Sequence, residues 1–300
     1  MNILVTGATG FLGRHVLCAL EESGHRLGLL MRSPSRRENP TDSNQHEIID
    51  CDLDNYEDCK TALCTFAPEM CIHLAWEGIP DYSPKISKRN LLRSCALIDI
   101  LVSDTPCRRI LISGSCFEYG KVQGECREEE PVTCKSYFGW AKNALYEYAL
   151  LACANSSMSL TWFRVFYVYG MGQRPGSLIP SLLHAAANGE HPNIMNPNNA
   201  NDFIHAKDVA RAFALAVKHE HRPGIYNLGT GRATPVIDIC RVVERLTKFE
   251  GFTDSLASVM GSSSSVNFWA NIDKAEKELG WTPEISLEQG VMSVFNEDPT

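Results

Sequence analysis

The stretch Ile3-Leu4-Val5-Thr6-Gly7-Ala8-Thr9-Gly10-Phe11-Leu12-Gly13 decides the fold. A short β-rich run gives way to three glycines spaced by three, and then to a helix-like pattern from Leu12 to Ser23. Glycines at such a turn let the backbone bend tightly and approach a pyrophosphate, whose charge the N-terminus of the following helix favours. A glycine triplet alone is weak evidence. Placed between a strand and a helix, and followed by a second strand-like run from Arg26 to Met31, it reads as a dinucleotide-binding turn made by Gly7, Thr9, Gly10, Phe11, Leu12 and Gly13.

Outward from this turn, β-rich and helical runs alternate, the pattern of a doubly wound parallel sheet of Rossmann type with helices on both faces. Strands are expected over His46 to Asp50, Met70 to Leu74, Arg109 to Ser113 and Ser159 to Tyr167. Helices are expected over Tyr56 to Phe66, Leu91 to Val102 and Lys142 to Ala154. After Gly170 glycine, proline and asparagine accumulate, which marks long loops. Val209 to Lys218 (helix), Gly224 to Leu228 (strand) and Val236 to Thr247 (helix) then return to ordinary globular patterning, while Ser262 to Val266 is too short for a linker. The expected division is a dinucleotide-binding domain from 1–168 plus roughly 202–228, and a smaller α/β substrate lobe from 169–201 and 229–300.

The end of the second strand chooses between dinucleotides. An acidic residue there bonds the ribose 2′-hydroxyl of NAD, whereas arginine meets the 2′-phosphate of NADP. This chain has Leu30-Met31-Arg32-Ser33 and no acid before Glu38, so NADP(H) is favoured over NAD(H), with Arg32 as the phosphate contact, Ser33 or Arg36 as a second, and Arg37 close by.

The 300 residues suggest about two domains and bury enough surface to need no disulfide or metal staple. A net charge of −8 argues against a nucleic-acid groove. No apolar run approaches the ~18 residues of a membrane span, and no leader is expected ahead of the strand at Ile3. The 12 cysteines are scattered through apolar runs without metal-ligand spacing, so no metal is expected. They read as reduced, buried small hydrophobes of a cytoplasmic protein.

Beyond the turn, the chain contains Asp50-Cys51-Asp52-Leu53, His73-Leu74-Ala75, Asn90, Ser113-Gly114-Ser115-Cys116-Phe117-Glu118-Tyr119-Gly120, Lys142, Arg164 to Gly170, Asp202 to Asp208, Asn227-Leu228-Gly229 and Leu279-Gly280-Trp281-Thr282-Pro283. In these segments, over nearly its whole length, it resembles the extended short-chain dehydrogenase/reductases, the sugar-nucleotide epimerases, dehydratases and ketoreductases. The resemblance implies that Asp52 and Leu53 lie beside the adenine, and that Leu74, Ala75, Asn90, Ser113 and Val168 line the cofactor cleft. It further implies that Ser115 bonds the substrate oxygen. Lys142 would hold the nicotinamide ribose and, as a nearby cation, lower the pKa of a catalytic tyrosine.

That tyrosine is where the chain departs. The family motif is Tyr-x-x-x-Lys, and four residues before Lys142 stands Phe138, with Tyr137 beside it. On a helix, residues four apart differ by about 40° around the axis and residues five apart by about 140°. Tyr137 therefore does not share the face of Lys142 if the helix is already regular there. Three readings stay open: an engineered Tyr-to-Phe form; an enzyme using Tyr137 through a helix irregularity, or another acid such as Glu118 or Tyr119; or a protein that binds NADP(H) and a nucleotide sugar without turnover.

For the reaction, the resemblance points to NADP(H)-dependent reduction of a nucleotide-activated keto-sugar, with hydride delivered to C4 of a 4-keto-6-deoxyhexose. A 4,6-dehydratase would carry an acid/base pair where this chain has Cys116 and Phe117, and an epimerase retaining NAD fits poorly with Arg32. Trp76, Phe117, Glu118 and Tyr167 are candidates to face the sugar, and Arg174 and Asn201 to approach the diphosphate. The helices Leu91 to Val102 and Asn143 to Ala154 correspond to those that pair as a four-helix bundle in dimers of the family, which implies a homodimer.

Overall fold

The computed structural model describes residues 1–32, 46–120, 123–256 and 267–297; Ser33, Arg36, Arg37 and the serine run at 262–265 lie outside the described residues. In chain order the elements begin β1 (Asn2–Thr6), α1 (Phe11–Leu20), β2 (Arg26–Met31), β3 (Glu47–Asp50), α2 (Tyr56–Phe66), β4 (Met70–His73), α3 (Pro84–Asp104) and β5 (Arg109–Ser115). They continue with β6 (Gln123–Cys126), α4 (Tyr137–Ala154), β7 (Ser159–Val165), β8 (Tyr167–Tyr169), α5 (Leu178–Ala187), β9 (Ala200–Asn201), β10 (Phe203–His205) and α6 (Ala206–Lys218). The last are β11 (Gly224–Leu228), β12 (Thr234–Pro235), α7 (Val236–Thr247), β13 (Asn267–Ala270), α8 (Asp273–Leu279) and α9 (Leu287–Glu297).

The chain forms two compact units. The first comprises 1–120, 129–165 and 210–226. Its core is a seven-stranded sheet in the order β11-β7-β5-β4-β1-β2-β3, in which β1 to β5 and β7 pair in parallel. The order runs outward from β1 in both directions, so the strand ends around β1 and β4 form the switch point where such sheets bind ligands. On one face, Leu97, Ile98 and Leu101 of α3 and Leu145 and Ala149 of α4 pack with Cys71, Ile110, Ile112 and Trp162 of the strands. These strands are apolar on both faces, as a parallel sheet covered by helices requires.

The second unit comprises 121–128, 166–209 and 227–300. It holds a four-stranded sheet in the order β12-β9-β13-β6 and the parallel pair β10-β8, and it buries α5, α7 and α9 around Ile179, Leu182, Ile239, Val243, Phe252 and Val291.

Several expectations shift. Helix α3 begins at Pro84, seven residues before Leu91, because Ser83 caps it by accepting from Ile86 N, with Pro84 in the first turn where its missing N–H costs nothing. The long strand expected over Ser159 to Tyr167 ends at Val165, where Phe166 N turns to donate to Leu228 O at 3.0 Å. Within the expected loops after Gly170 lies α5, whose Pro180 sits in its first turn and does not break it.

The cysteines require a correction. Cys51 and Cys59 are joined by a disulfide, because the turn Asp52 to Asn55 folds the start of α2 back on the end of β3 and brings the two Cα atoms within 5.3 Å. Cys18 and Cys64 are exposed, so the set is neither wholly reduced nor wholly buried. Among the described residues no helix is long and apolar enough to cross a membrane, and no group of three or more potential ligands could hold a metal ion.

Candidate functional site

In the first unit, β1 feeds a tight turn into α1. Gly10 N donates to Gly7 O at 3.0 Å, and Arg14 N to Gly10 O at 3.1 Å. Gly7 has φ +73°, and a Cβ there would lie 2.6 Å from Ala75 N; one on Gly13 would lie 2.0 Å from Gly7 O. Gly10 is the N-cap of α1, and no side chain caps that end. First-turn N–H groups have no partner within their own helix, so this end presents donors and the positive end of the helix dipole to whatever lies over the turn. A turn held so closely, with nothing beyond Cα at three positions, fits the pyrophosphate of a dinucleotide. Thr9 stands at the tip, its carbonyl accepting from Arg14 Nε at 3.0 Å. Phe11 packs edge-on against His15, and Leu12 is half-buried beside it.

The neighbouring strand end is fixed by a hydrogen-bond chain. The one hydroxyl proton of Ser94 goes to Asn90 O at 2.8 Å, so Ser94 Oγ accepts from His73 Nε2, also at 2.8 Å. His73 Nδ1 then accepts from Thr6 Oγ1 at 2.7 Å. Burial pushes the His73 pKa down to about 3, consistent with this neutral tautomer. Leu74 N and Ala75 N donate to Thr6 O and Oγ1 at 3.2 and 3.3 Å, which places Leu74 and Ala75 directly against the glycine turn. Asn90, expected at the cofactor, spends its amide on the chain: Oδ1 accepts from Glu77 N at 2.8 Å, and Nδ2 donates to Glu77 O and Ile86 O.

Arg93, buried on the same face of α3, was missed by sequence reasoning. It donates to Asp54 Oδ1 at 2.6 Å and Glu77 Oε2 at 2.7 Å and approaches Asp52 Oδ1 at 3.6 Å. Asp54 holds the guanidinium charged. Arg32, at the end of β2, reaches Glu77 Oε1 at 2.7 Å. Arg32, Asp52 and Leu53 are thus brought to one edge of the sheet, with Leu53 packed on the core and Arg32 already paired with a carboxylate. The signal for Arg93 was its spacing: Asn90, Arg93 and Ser94 are polar residues at i, i+3 and i+4, one stripe of the helix.

At the end of β5, Ser115 caps a short turn, its Oγ accepting from Phe117 N at 3.2 Å. Lys142 of α4 is buried, donates to Ser113 O at 2.7 Å, and lies 4.1 Å over the Trp76 ring. Burial lowers its pKa to about 7. Phe138 is buried one turn before it, meeting Trp76 edge-on at 5.4 Å and Phe117 at 5.7 Å between ring centres. Ser113, Ser115, Phe117, Phe138, Lys142 and Trp76 are therefore brought together in the first unit. Tyr82, which sequence reasoning did not single out, adds a fourth ring, 4.9 Å from Phe138 and 5.8 Å from Phe117.

The alternatives to a tyrosine at 138 are corrected. Ser136 accepts from Gly139 N and starts a regular helix, which leaves Tyr137 55% exposed on another face from Lys142. Glu118, placed at the sugar by sequence reasoning, points into the protein: it is fully buried, accepts from Ser115 N and Trp162 Nε1, and pairs with Arg164 at 2.8 Å. Tyr119 is buried under the Arg164 guanidinium.

The buried lysine gives a stability prediction. Its folded pKa of about 7 lies below the ordinary 10.5, so between these values the unfolded chain binds the extra proton. The stability of the ligand-free protein is expected to rise with pH from about 7 toward 10 on this account, and below pH 7 the contribution is flat. Thermal melts across this range, compared with Lys142→Met, check it: the variant should lose that part of the slope.

In the second unit, Val168 lies in β8 opposite Ile204 and accepts from Gln173 Nε2 at 3.1 Å. Tyr167 packs against Phe203 and Phe268, and Arg174 is exposed. Asn201 Oδ1 and Gln173 Oε1 are buried without hydrogen-bond partners, which marks both as groups suited to a polar ligand; Gln173 was not singled out in the sequence.

Comparison with known proteins identifies similar chains. The model of the NAD dependent epimerase/dehydratase family matches residues 3–229. A putative UDP-glucose 4-epimerase of Methanocaldococcus jannaschii is 26% identical over 98% of this chain and 97% of its own length. A trifunctional UDP-glucose 4,6-dehydratase/UDP-4-keto-6-deoxy-D-glucose 3,5-epimerase/UDP-4-keto-L-rhamnose-reductase of Arabidopsis thaliana is 25% identical over 99% of this chain and 48% of that protein. MoeE5, solved with UDP-glucuronic acid and NAD, is 27% identical with a TM-score of 0.82, covering 99% of this chain and 98% of that one. With a family model that matches most of its length, and with the doubly wound sheet and glycine turn described above, the chain belongs to the NAD dependent epimerase/dehydratase family.

Proposed function

We propose that the chain is an NADP(H)-dependent reductase of a nucleotide-activated keto-sugar, acting at C4 of a 4-keto-6-deoxyhexose. The observation that carries this reading is Arg32 at the end of β2, the position from which an acidic side chain would hold the 2′-hydroxyl of NAD. A cofactor bound through a 2′-phosphate suits net reduction, in which it is consumed and exchanged at each turnover. When bound, the nicotinamide supplies the hydride. The chain's own groups hold the dinucleotide on the α1 N-terminus, place Lys142 beside the ribose, and present Ser115 to the sugar oxygen. The reductase activity named for the Arabidopsis relative and the UDP-sugar in MoeE5 support a UDP-linked substrate as the first to try.

The test is NADPH oxidation with a panel of 4-keto-6-deoxy nucleotide sugars, products identified by mass spectrometry. Turnover with NADPH preferred over NADH is expected. Arg32→Ala should lose about 10-fold or more in kcat/KM for NADPH, the worth of one charge-assisted bond, with little change for NADH. Equal use of both cofactors by the unaltered chain would count against the assignment. A second reading, 4-epimerization with NAD, is favoured by the 4-epimerase named for the Methanocaldococcus relative and the NAD in MoeE5. It predicts interconversion of UDP-glucose and UDP-galactose with no net cofactor consumption.

A homodimer through α3 and α4 is part of the proposal. The two helices pack side by side and leave Leu92, Tyr148, Leu150 and Leu151 exposed, an apolar surface that a second copy would cover. Sedimentation at micromolar concentration should give twice the 33.3 kDa chain mass.

A further inference from the structure

Phe138 carries no acidic proton, and a reductase must protonate the oxygen that receives the hydride's electron pair. The described tyrosines near α4 are turned elsewhere. Tyr137 faces outward, Tyr119 lies under Arg164, and Tyr146 packs on Trp162 with ring centres 5.4 Å apart. Tyr82 is different: it is half-exposed, and its ring lies against Phe138 and Phe117, the same Phe138 ring that meets Trp76 and has Lys142 Nζ 5.9 Å from its centre.

We propose that Tyr82 is the proton donor of the reduction, its hydroxyl standing in across the Phe138 ring for the one that Phe138 lacks. This inference rests on the reductase reading above. The loop that carries Tyr82 is fastened at both ends. Asn90 grips Glu77 through both backbone groups, Asp81 N donates to Gly78 O at 2.6 Å, Ser83 N donates to Asp81 Oδ1 at 2.8 Å, and Ser83 caps α3. A ring fixed in this way on a floor of two phenylalanines can be aimed as closely as a helical residue.

A reduced nicotinamide held on the α1 turn would supply the hydride, its own C–H bond breaking and the ring becoming oxidised as the new C–H bond forms at the carbonyl carbon. The carbonyl π pair moves onto oxygen, the Tyr82 O–H bond breaks, and the proton forms the product hydroxyl. The phenolate left behind takes a proton from water.

The experiment compares the unaltered chain, Tyr82→Phe, Phe138→Tyr and the double variant. It reads kcat and the solvent deuterium isotope effect with NADPH and a 4-keto nucleotide sugar, and calorimetric affinity for cofactor and nucleotide sugar in each. Loss of a positioned acid is worth about 100-fold or more. Tyr82→Phe should lose at least that in kcat while binding both ligands within about twofold of the unaltered chain, and adding Phe138→Tyr should restore at least about 10-fold. A Tyr82→Phe form that keeps most of its kcat, or a loss matched by lost binding, overturns the inference and leaves the reductase reading standing. An unaltered chain that is inert until Phe138→Tyr is introduced also overturns it. A chain inert in all four forms overturns the reductase reading itself, and the inference with it.

Discussion

Gly13→Ala is expected to weaken dinucleotide binding by about 100-fold, measured by calorimetry with NADPH and NADH. The added Cβ would lie 2.0 Å from Gly7 O and 2.8 Å from Ala8 Cα, both backbone atoms that cannot swing away. The first turn of α1 must therefore back off from the loop. Hydrogen bonds to a charged group contribute about 1.5–3 kcal/mol each, and losing two at the low end amounts to about 100-fold in affinity. Most of α1 lies beyond the contact and packs through Val16, Leu17 and Leu20, so the far-ultraviolet circular dichroism should be retained. An affinity within about threefold of the unaltered chain would show that the dinucleotide does not lie over this turn.

The second large effect concerns stability. Glu118 and Arg164 form an ion pair from which water is excluded, with side-chain exposures of 0% and 2%. Burial pushes the Glu118 carboxyl up while the Arg164 guanidinium opposes the shift. Glu118→Gln takes the carboxylate away from a guanidinium that stays charged in the interior, and breaking a buried pair in this way typically costs about 3–5 kcal/mol. Urea unfolding should show a loss of that order. The double change Glu118→Leu with Arg164→Met should recover part of it, because removing both charges also removes the cost of desolvating them. A loss under about 1 kcal/mol for the single change would mean that water reaches the pair. Gly114 belongs to this account, since a Cβ there would meet Trp162 Nε1 at 2.0 Å and Glu118 Oε1 at 2.6 Å. The glycine between Ser113 and Ser115 makes room for the buried carboxylate.

The sheet was legible because its strands obey local rules: apolar runs, separated by helices of ordinary length, with a glycine turn whose meaning depends only on its neighbours. The segments that carry Ser115, Lys142 and Phe138 were legible only through family resemblance, and helical periodicity left Tyr137 open until Ser136 was seen to start a regular helix there. Glu118 was misplaced because nothing in its local sequence reveals that Arg164, 46 residues on, waits in the interior. Tyr82 and Arg93 went unseen for the same reason, since the partners of both lie on segments that only the folded sheet brings together. The disulfide escaped because cysteines eight apart say nothing until the turn between them closes.

Helix α3 carries a polar stripe whose members each hold a different part of the first unit. Asn90 grips the loop that begins at Glu77, Arg93 binds Asp54 and Glu77, and Ser94 completes the chain to His73 and Thr6. These three residues behave as a single graft unit. Moving the 77–83 loop of this chain into another member of the family would leave Glu77 without its anchors unless residues 90 and 93 travelled with it.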